Sequence, residues 1–347
     1  MWPALADEAI VLGDETWTFA DLLLLGIATG LLEEATSSTR DGLAALQLQA
    51  GPSQEQLHAE AVAFRRARTL ESGQDLRAWL AARELTMEEW QAHLQRSLAA
   101  RELTSSSAGA APGTSESESE ALTVDLACGG WWQHFADLAA RLWAAAKLVE
   151  DDADLGDSDV DDRLAADEAS RIMSEFEVLA GLGEPWCIDR LRLLGTRQRA
   201  LEEAARRCAA AKVVDARVGA HANDWTEFVY DELLLPSREA ANEALLCARD
   251  DGIEAADLAA RAGLVLVRHS DRHDSLPVAA ATLLDGALPD QPFGPVALDR
   301  RWAVLWLRER RRPSLEDETL RATAAAELLE EALERIGQGQ IRAANVL

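Results

Sequence analysis

The chain states part of itself twice, and this duplication constrains its fold more than any other feature. Phe19-Ala20-Asp21-Leu22 opens one long helical stretch of apolar periodicity, and Phe135-Ala136-Asp137-Leu138 opens another. At a similar distance beyond each comes a second pair of landmarks, Phe64 with Leu70 and Phe176 with Leu182. Leu76-Arg77-Ala78-Trp79 then answers to Ile188-Asp189-Arg190-Leu191, and Trp90 to Leu201 after a one-residue deletion. Both copies run on into an Arg/Ala-rich helix, through Arg96 and Arg101 in the first and Arg207 and Lys212 in the second. A repeat of this length means that an all-helical unit has been duplicated and that the chain beyond residue 220 is something else.

With 347 residues, 48% hydrophobic and 27% charged, the chain has material for two or three globular domains. Its formal charge of -27 argues against a nucleic-acid partner, because each phosphate contact needs an Arg or Lys whose field is not cancelled by neighbouring carboxylates. The start, Met1 to Glu8, has no basic region ahead of an apolar core, and the longest apolar run, 20–32, is too short to span a bilayer. A cytoplasmic protein with no membrane partner is the expectation. Cys128, Cys187, Cys208 and Cys247 form no Cys-x-x-Cys pair and are too sparse for a disulfide-stapled domain, so they read as small buried hydrophobes.

The fold class expected is mainly α with an α+β part. Residues 1–103 form a first helical unit. It begins with an extended piece, Ala9-Ile10-Val11-Leu12, turned by Gly13-Asp14, after which Thr16 or Thr18 can cap a helix with the stripe Phe19, Leu22, Leu23, Ile27 and Leu31. A second helix is expected over 41–49. Pro52-Ser53-Gln54-Glu55 starts a third that carries Leu57, Ala61 and Phe64, and Thr86 with Glu89 three residues on declares another. Residues 104–120 have no large apolar side chain to offset their ordering entropy and read as a Ser/Glu-rich linker.

A second helical unit, 121–220, carries the acidic stretch 150–162. Read as a calcium loop with Gly156 sixth, that stretch puts Ala153 and Leu155 at ligand positions and ends in Asp162 instead of Glu, so it reads as a solvated interhelical loop. Over 221–312 the periodicity changes to strand 228–235, helices from Ser237 and over 254–262, strand 264–267, a short helix 277–284 and a closing strand 302–307. This is an α+β domain of about ninety residues. A last helix opens at Ser314 with Asp317 and belongs to a terminal segment, 313–347.

These residues carry a resemblance. Phe64-Arg65-Arg66-Ala67-Arg68-Thr69-Leu70 through Trp79-Leu80, and Leu85-Thr86-Met87-Glu88-Glu89-Trp90 through Leu98, resemble the helical chaperone region of SurA-type and PrsA-type peptidyl-prolyl isomerases. Residues 225–312 resemble the parvulin domain that follows it, with Phe293-Gly294-Pro295-Val296 similar to the late parvulin turn. The helix from Ser314 resembles the one that folds back onto the N-terminal region in such proteins. A version with a second helical unit also resembles proteins associated with bacterial peptide-maturation gene clusters. The resemblance implies an apolar proline pocket with a His in the first strand, another in the closing strand and a Cys or Asp nearby. Here Glu232 takes the first place and Trp302 the second, and Arg268-His269-Ser270-Asp271-Arg272-His273 replaces the usual glycine pair.

The expectation is therefore binding without catalysis, and no catalytic residue is assigned. The pocket is expected from Tyr230, Leu276, Leu283, Leu284, Phe293, Trp302 and Trp306, with Trp302 and Trp306 on one face of the closing strand. Eleven tryptophans accompany one tyrosine; Trp79, Trp90 and Trp143 read as core, and Trp131-Trp132 as exposed anchors. His269 and His273, four apart, lie in what reads as a polar loop, and no metal site is expected. No Gly-x-Ser-x-Gly elbow, P-loop or Gly-x-Gly-x-x-Gly follows a strand, so no cofactor is expected. The partners are a peptide or precursor-peptide client, or a peptide-modifying enzyme. Two other readings stay open: an active isomerase, and a scaffold that holds a modifying enzyme through its helical repeat.

Overall fold

A computed structural model of the chain describes residues 5–48, 51–104, 116–150, 162–298 and 301–343. The chain divides into two compact units, Met1–Ala204 with Glu331–Leu347, and Ala205–Glu330.

The first unit opens with a hairpin of β1 (Glu8–Leu12) and β2 (Glu15–Thr18). Gly13 turns it at φ +63°, and a Cβ there would stand 2.8 Å from the ring of Trp143, so the position suits glycine on two counts. Of the two threonines expected as a cap, Thr18 serves for α1 (Phe19–Ala28): its hydroxyl accepts from the Asp21 N–H at 3.3 Å and the Asp21 carboxylate accepts from the Thr18 N–H at 2.8 Å. The core is wider than the expected stripe. Leu24 and Leu25 are buried along with Phe19, Leu22 and Leu23, because the hairpin, the next helix and a helix of the second copy all pack on α1. That next helix, α2 (Leu31–Leu48), starts just past Gly30, well before the expected 41–49.

α3 (Gln54–Ala67), α4 (Gly73–Ala81) and α5 (Met87–Thr104) follow. Ser53 with Gln56, Ser72 with Asp75 and Thr86 with Glu89 each exchange two cap hydrogen bonds, satisfying two end donors at once. Phe64, Leu76, Leu80, Trp90 and Leu94 of these helices share a core with Val124 and Cys128 of α6 (Glu116–Cys128). α6 thus begins inside the segment expected as linker, of which 105–115 lie outside the described residues.

α7 (Trp131–Val149), α8 (Asp162–Glu175), α9 (Glu177–Ala180) and α10 (Glu184–Cys208) follow, over most of the stretch expected as the second helical unit, whose residues from Ala205 to 220 fall in the other compact unit. The acidic stretch lies almost wholly outside the described residues. The copies match in sequence landmarks and differ in breaks. α10 is one 25-residue helix where the first copy has α4, a turn and α5. Near the corresponding place Thr196 returns its hydroxyl to the Arg192 carbonyl within the helix, whereas Thr86 ends a turn by capping. The copies pack together: α7 lies on α1, and α6 on α2 and α5. Gly26 sets the approach of α1 to α7, and Gly42 that of α2 to α5 within the first copy. A Cβ on Gly26 would be 2.8 Å from the Phe135 ring, and one on Gly42 would be 2.6 Å from the Arg96 carbonyl oxygen.

In the second unit, α11 (Ala211–Ala220) precedes β3 (Glu227–Leu235), α12 (Arg238–Asp250), α13 (Ala255–Ala262), β4 (Leu266–Arg272), α14 (Val278–Gly286), β5 (Pro292–Leu298) and β6 (Arg301–Arg311). The sheet is antiparallel in the order β4-β3-β6-β5. Alternate residues of β3 and β6 go to opposite faces. Leu233, Leu235, Val304 and Trp306 pack on α12 and α13, while Phe228, Tyr230, Ala303, Leu305 and Leu307 pack on α14.

Four sequence expectations are corrected here. β4 occupies 266–272, so the segment read as a polar loop is an edge strand, where solvent accommodates charge. β5 is an additional strand, and β6 takes in most of the arginine run. The last helix, α15 (Glu318–Gly337), starts after Asp317, whose carboxylate accepts from the N–H groups of Thr319 and Leu320 at 2.9 and 3.1 Å. Beyond α15, β7 (Ile341–Ala343) returns to the first unit and pairs with β1. No helix among the described residues is long and apolar enough to cross a membrane.

Candidate peptide-binding surfaces

The residues expected as one pocket are divided by the sheet. Tyr230, Leu276, Leu284 and Phe293 belong to a single cluster beneath α14. Trp302 and Trp306 lie on the other face with α12 and α13, and Trp306 is only 3% exposed. Leu283 is 38% exposed beside the fully buried Leu284. The reason is register: Trp306 is paired with Asp231 and Leu307 with Tyr230, and neighbouring positions of a strand point oppositely. Trp302, partly buried, has the Arg238 guanidinium 5.4 Å from its ring centre.

A polar group that sequence spacing missed surrounds Tyr230. Its hydroxyl donates to Asp271 at 2.9 Å, and the His269 ring stacks on its ring at 5.2 Å. His269 Nε2 lies 3.5 Å from Glu232, the residue standing where the resemblance places a histidine. Burial and the hydrogen bond to Asp271 push the Tyr230 phenol well above its ordinary value, so it stays a donor. His273 goes elsewhere, with Nε2 3.1 Å from Asp285, and does not pair with His269. Alternation along 267–272 is the sequence signal that places His269 and Asp271 on Tyr230's face.

The larger concavity lies in the first unit. α1, the start of α2, α7 and α10 enclose a groove of about 1000 Å³. Trp131, His134, Leu138 and Arg141 recur at helical spacing along α7, and Leu191, Leu194, Gln198 and Leu201 recur along α10. Leu25 and Leu31 close its floor. Of the two tryptophans expected as anchors, Trp131 is half-buried at this groove; Trp132 is core, edge-on to Phe19 at 5.1 Å and Phe135 at 5.7 Å.

Trp131 and His134 also line a second, polar cavity of about 240 Å³, with Ser38, Thr39, His93, Ser97 and Asp125. Asp125 is the centre of a buried ion cluster. His93 Nδ1 lies 2.8 Å from its Oδ1, and Arg96 donates through Nη2 at 2.6 Å and Nε at 3.1 Å. Burial alone would raise the Asp125 pKa, but these hydrogen bonds prevail and hold it below the ordinary carboxylate range. Burial pushes the Cys128 thiol up to about 12, which leaves it unreactive. Among the described residues, no three His, Cys, Asp or Glu side chains converge as a metal site requires.

No family model matches the chain, and no curated protein matches it. Solved structures similar to it include the foldase protein PrsA from Streptococcus pneumoniae, at 11% identity over 66% of this chain and 93% of that one, with a TM-score of 0.30. PrsA from Bacillus subtilis is similar at 12% identity over 63% and 87%, with a TM-score of 0.23. A chain from the work on PEB4 and Cj1289, two SurA-like chaperones of Campylobacter jejuni, is similar at 10% identity over 97% and 98%, with a TM-score of 0.21. Likenesses this slight carry no functional argument, and what the chain does is read from its own residues.

Proposed function

We propose that this chain is a peptide-binding chaperone or adaptor that holds a peptide client during maturation of a peptide or secondary metabolite and performs no chemistry upon it. The observation that carries the reading is the groove between α7 and α10, where leucines and Trp131 recur at helical spacing on facing walls. A groove so patterned accepts the apolar face of an extended or helical peptide. Each leucine-sized side chain buried there contributes about 1.5–3 kcal/mol. Three anchors contribute roughly 4.5–9 kcal/mol before the costs of association and of ordering the peptide, which places the affinity in the weak range. The charge of -27 favours clients with basic flanks.

Fluorescence anisotropy with amphipathic Leu/Phe peptides tests this. Leu138→Asp and Leu191→Asp, both at half-buried wall positions, are expected to weaken binding at least about tenfold while circular dichroism stays unchanged. Affinity unaffected by both would remove the groove from consideration. A scaffold that binds only a modifying enzyme would ignore free peptide altogether.

The group around Tyr230 favours a second reading, proline isomerisation, since a phenol donor, an imidazole and two carboxylates share one sheet face. Exchange NMR on a proline-containing peptide separates the two. Accelerated cis/trans exchange at catalytic protein concentration establishes the isomerase, while shifted signals without acceleration keep the binding reading.

A further inference from the structure

We infer that the polar cavity beside the groove selects one uncharged hydrogen-bonding side chain, a carboxamide or hydroxyl, on a peptide whose apolar residues lie in the groove. The inference rests on the groove being a peptide site. The two cavities share Trp131 and His134 as walls, so a peptide seated in one reaches the other. About 240 Å³ admits a single side chain.

Among the described residues, three hydroxyl side chains, Ser38, Thr39 and Ser97, line the cavity. Asp125, the one described acid lining it, is already answered by Arg96 at 2.6 Å and by His93 at 2.8 Å, so a second carboxylate meets a like charge and an ammonium finds its counter-charge taken. What remains is amphoteric. Ser38, Ser97 and Thr39 each offer a hydroxyl that donates or accepts. Thr39 is only 2% exposed, and its hydroxyl has no hydrogen-bond partner in the protein. A buried polar group left without a partner calls for one from outside, and a carboxamide, which donates and accepts together, meets this set better than either ion.

The test uses one Leu-rich amphipathic peptide carrying Gln, Ser, Leu, Glu or Lys at a single position. These peptides are titrated against the full chain and against Thr39→Val, with Ser97→Ala as a second variant should Thr39→Val disturb α2. The Gln or Ser peptide is expected to bind about tenfold more tightly than the Leu, Glu and Lys peptides, and either variant to erase the preference while leaving the Leu peptide unchanged. Equal affinity of the Leu and Gln peptides overturns the inference but keeps the groove. A preference for Glu or Lys overturns the neutral-ligand assignment, and so does a preference that survives both variants. Failure of every peptide to bind overturns the groove reading and this inference with it.

Discussion

Replacing Asp125 with alanine is expected to destabilise the helical unit by about 3–5 kcal/mol, the usual cost of breaking a buried ion pair from one side. Arg96 is 7% exposed and would keep its charge with no counter-charge, while His93, 8% exposed, would lose the carboxylate beside its Nδ1. Urea unfolding followed by circular dichroism measures the loss. The double variant Arg96→Met with Asp125→Leu removes both charges at once and is expected to recover most of it, since desolvating the pair offsets much of its attraction. If the single and double variants lose the same amount, the ion cluster is not what holds α5 to α6. Acid supplies an independent arm. The Asp125 carboxyl is held below its ordinary value in the folded chain, so near pH 4 the unfolded chain binds more protons than the folded one. Its stabilisation is therefore complete above about pH 4 to 5, the unfolded carboxylate range, and is lost as pH falls from there toward the folded value. Asp125→Asn should flatten that limb of the stability profile.

What the sequence made legible is what is encoded within a few residues. Ser53, Thr86 and Ser237 cap helices as expected because the donor and acceptor of a capping bond are three positions apart in the chain. The extended piece 9–12 and its Gly13 turn were readable for the same reason. β4 was not, because an edge strand pairs on one side only and tolerates Arg268 and Ser270 facing water and a half-exposed Arg272, which erases the apolar signal. The candidate sites depend on partners distant in sequence. His93 meets Asp125 across 32 positions, and the groove sets α7 against α10, a matter of which helical faces remain uncovered. Periodicity marks an apolar face without saying whether another helix covers it. Trp302 and Trp306 do share a face, as alternation requires; their separation from Tyr230 follows from register across β3 and β6, where a bulge falls between Val229 and Tyr230.

That separation makes Trp306 a test of core against binding anchor. Trp306→Ala is expected to destabilise the second unit by about 3–5 kcal/mol, the range for removing a fully packed aromatic side chain. The indole fills the space between β6 and the α12–α13 layer, against Leu233, Leu235, Leu245 and Leu258, and those side chains cannot close a gap of that size without moving the helices off the sheet. Trp306→Phe keeps most of the ring and should lose about half as much. Leu283→Ala, at a position 38% exposed, should change stability by under about 1 kcal/mol. Hydrogen exchange at the β3 and β6 amides reads this locally, which matters because ten tryptophans remain out of eleven and total fluorescence would blur the two units. A binding anchor would show the opposite pattern: intact protection of β3 and β6, with weakened affinity for peptide. The cost of Trp306→Ala falls on packing because its ring faces α12 and α13, away from the sheet face that carries Tyr230, Glu232 and His269. Any peptide that engages that polar face does so without either tryptophan of β6.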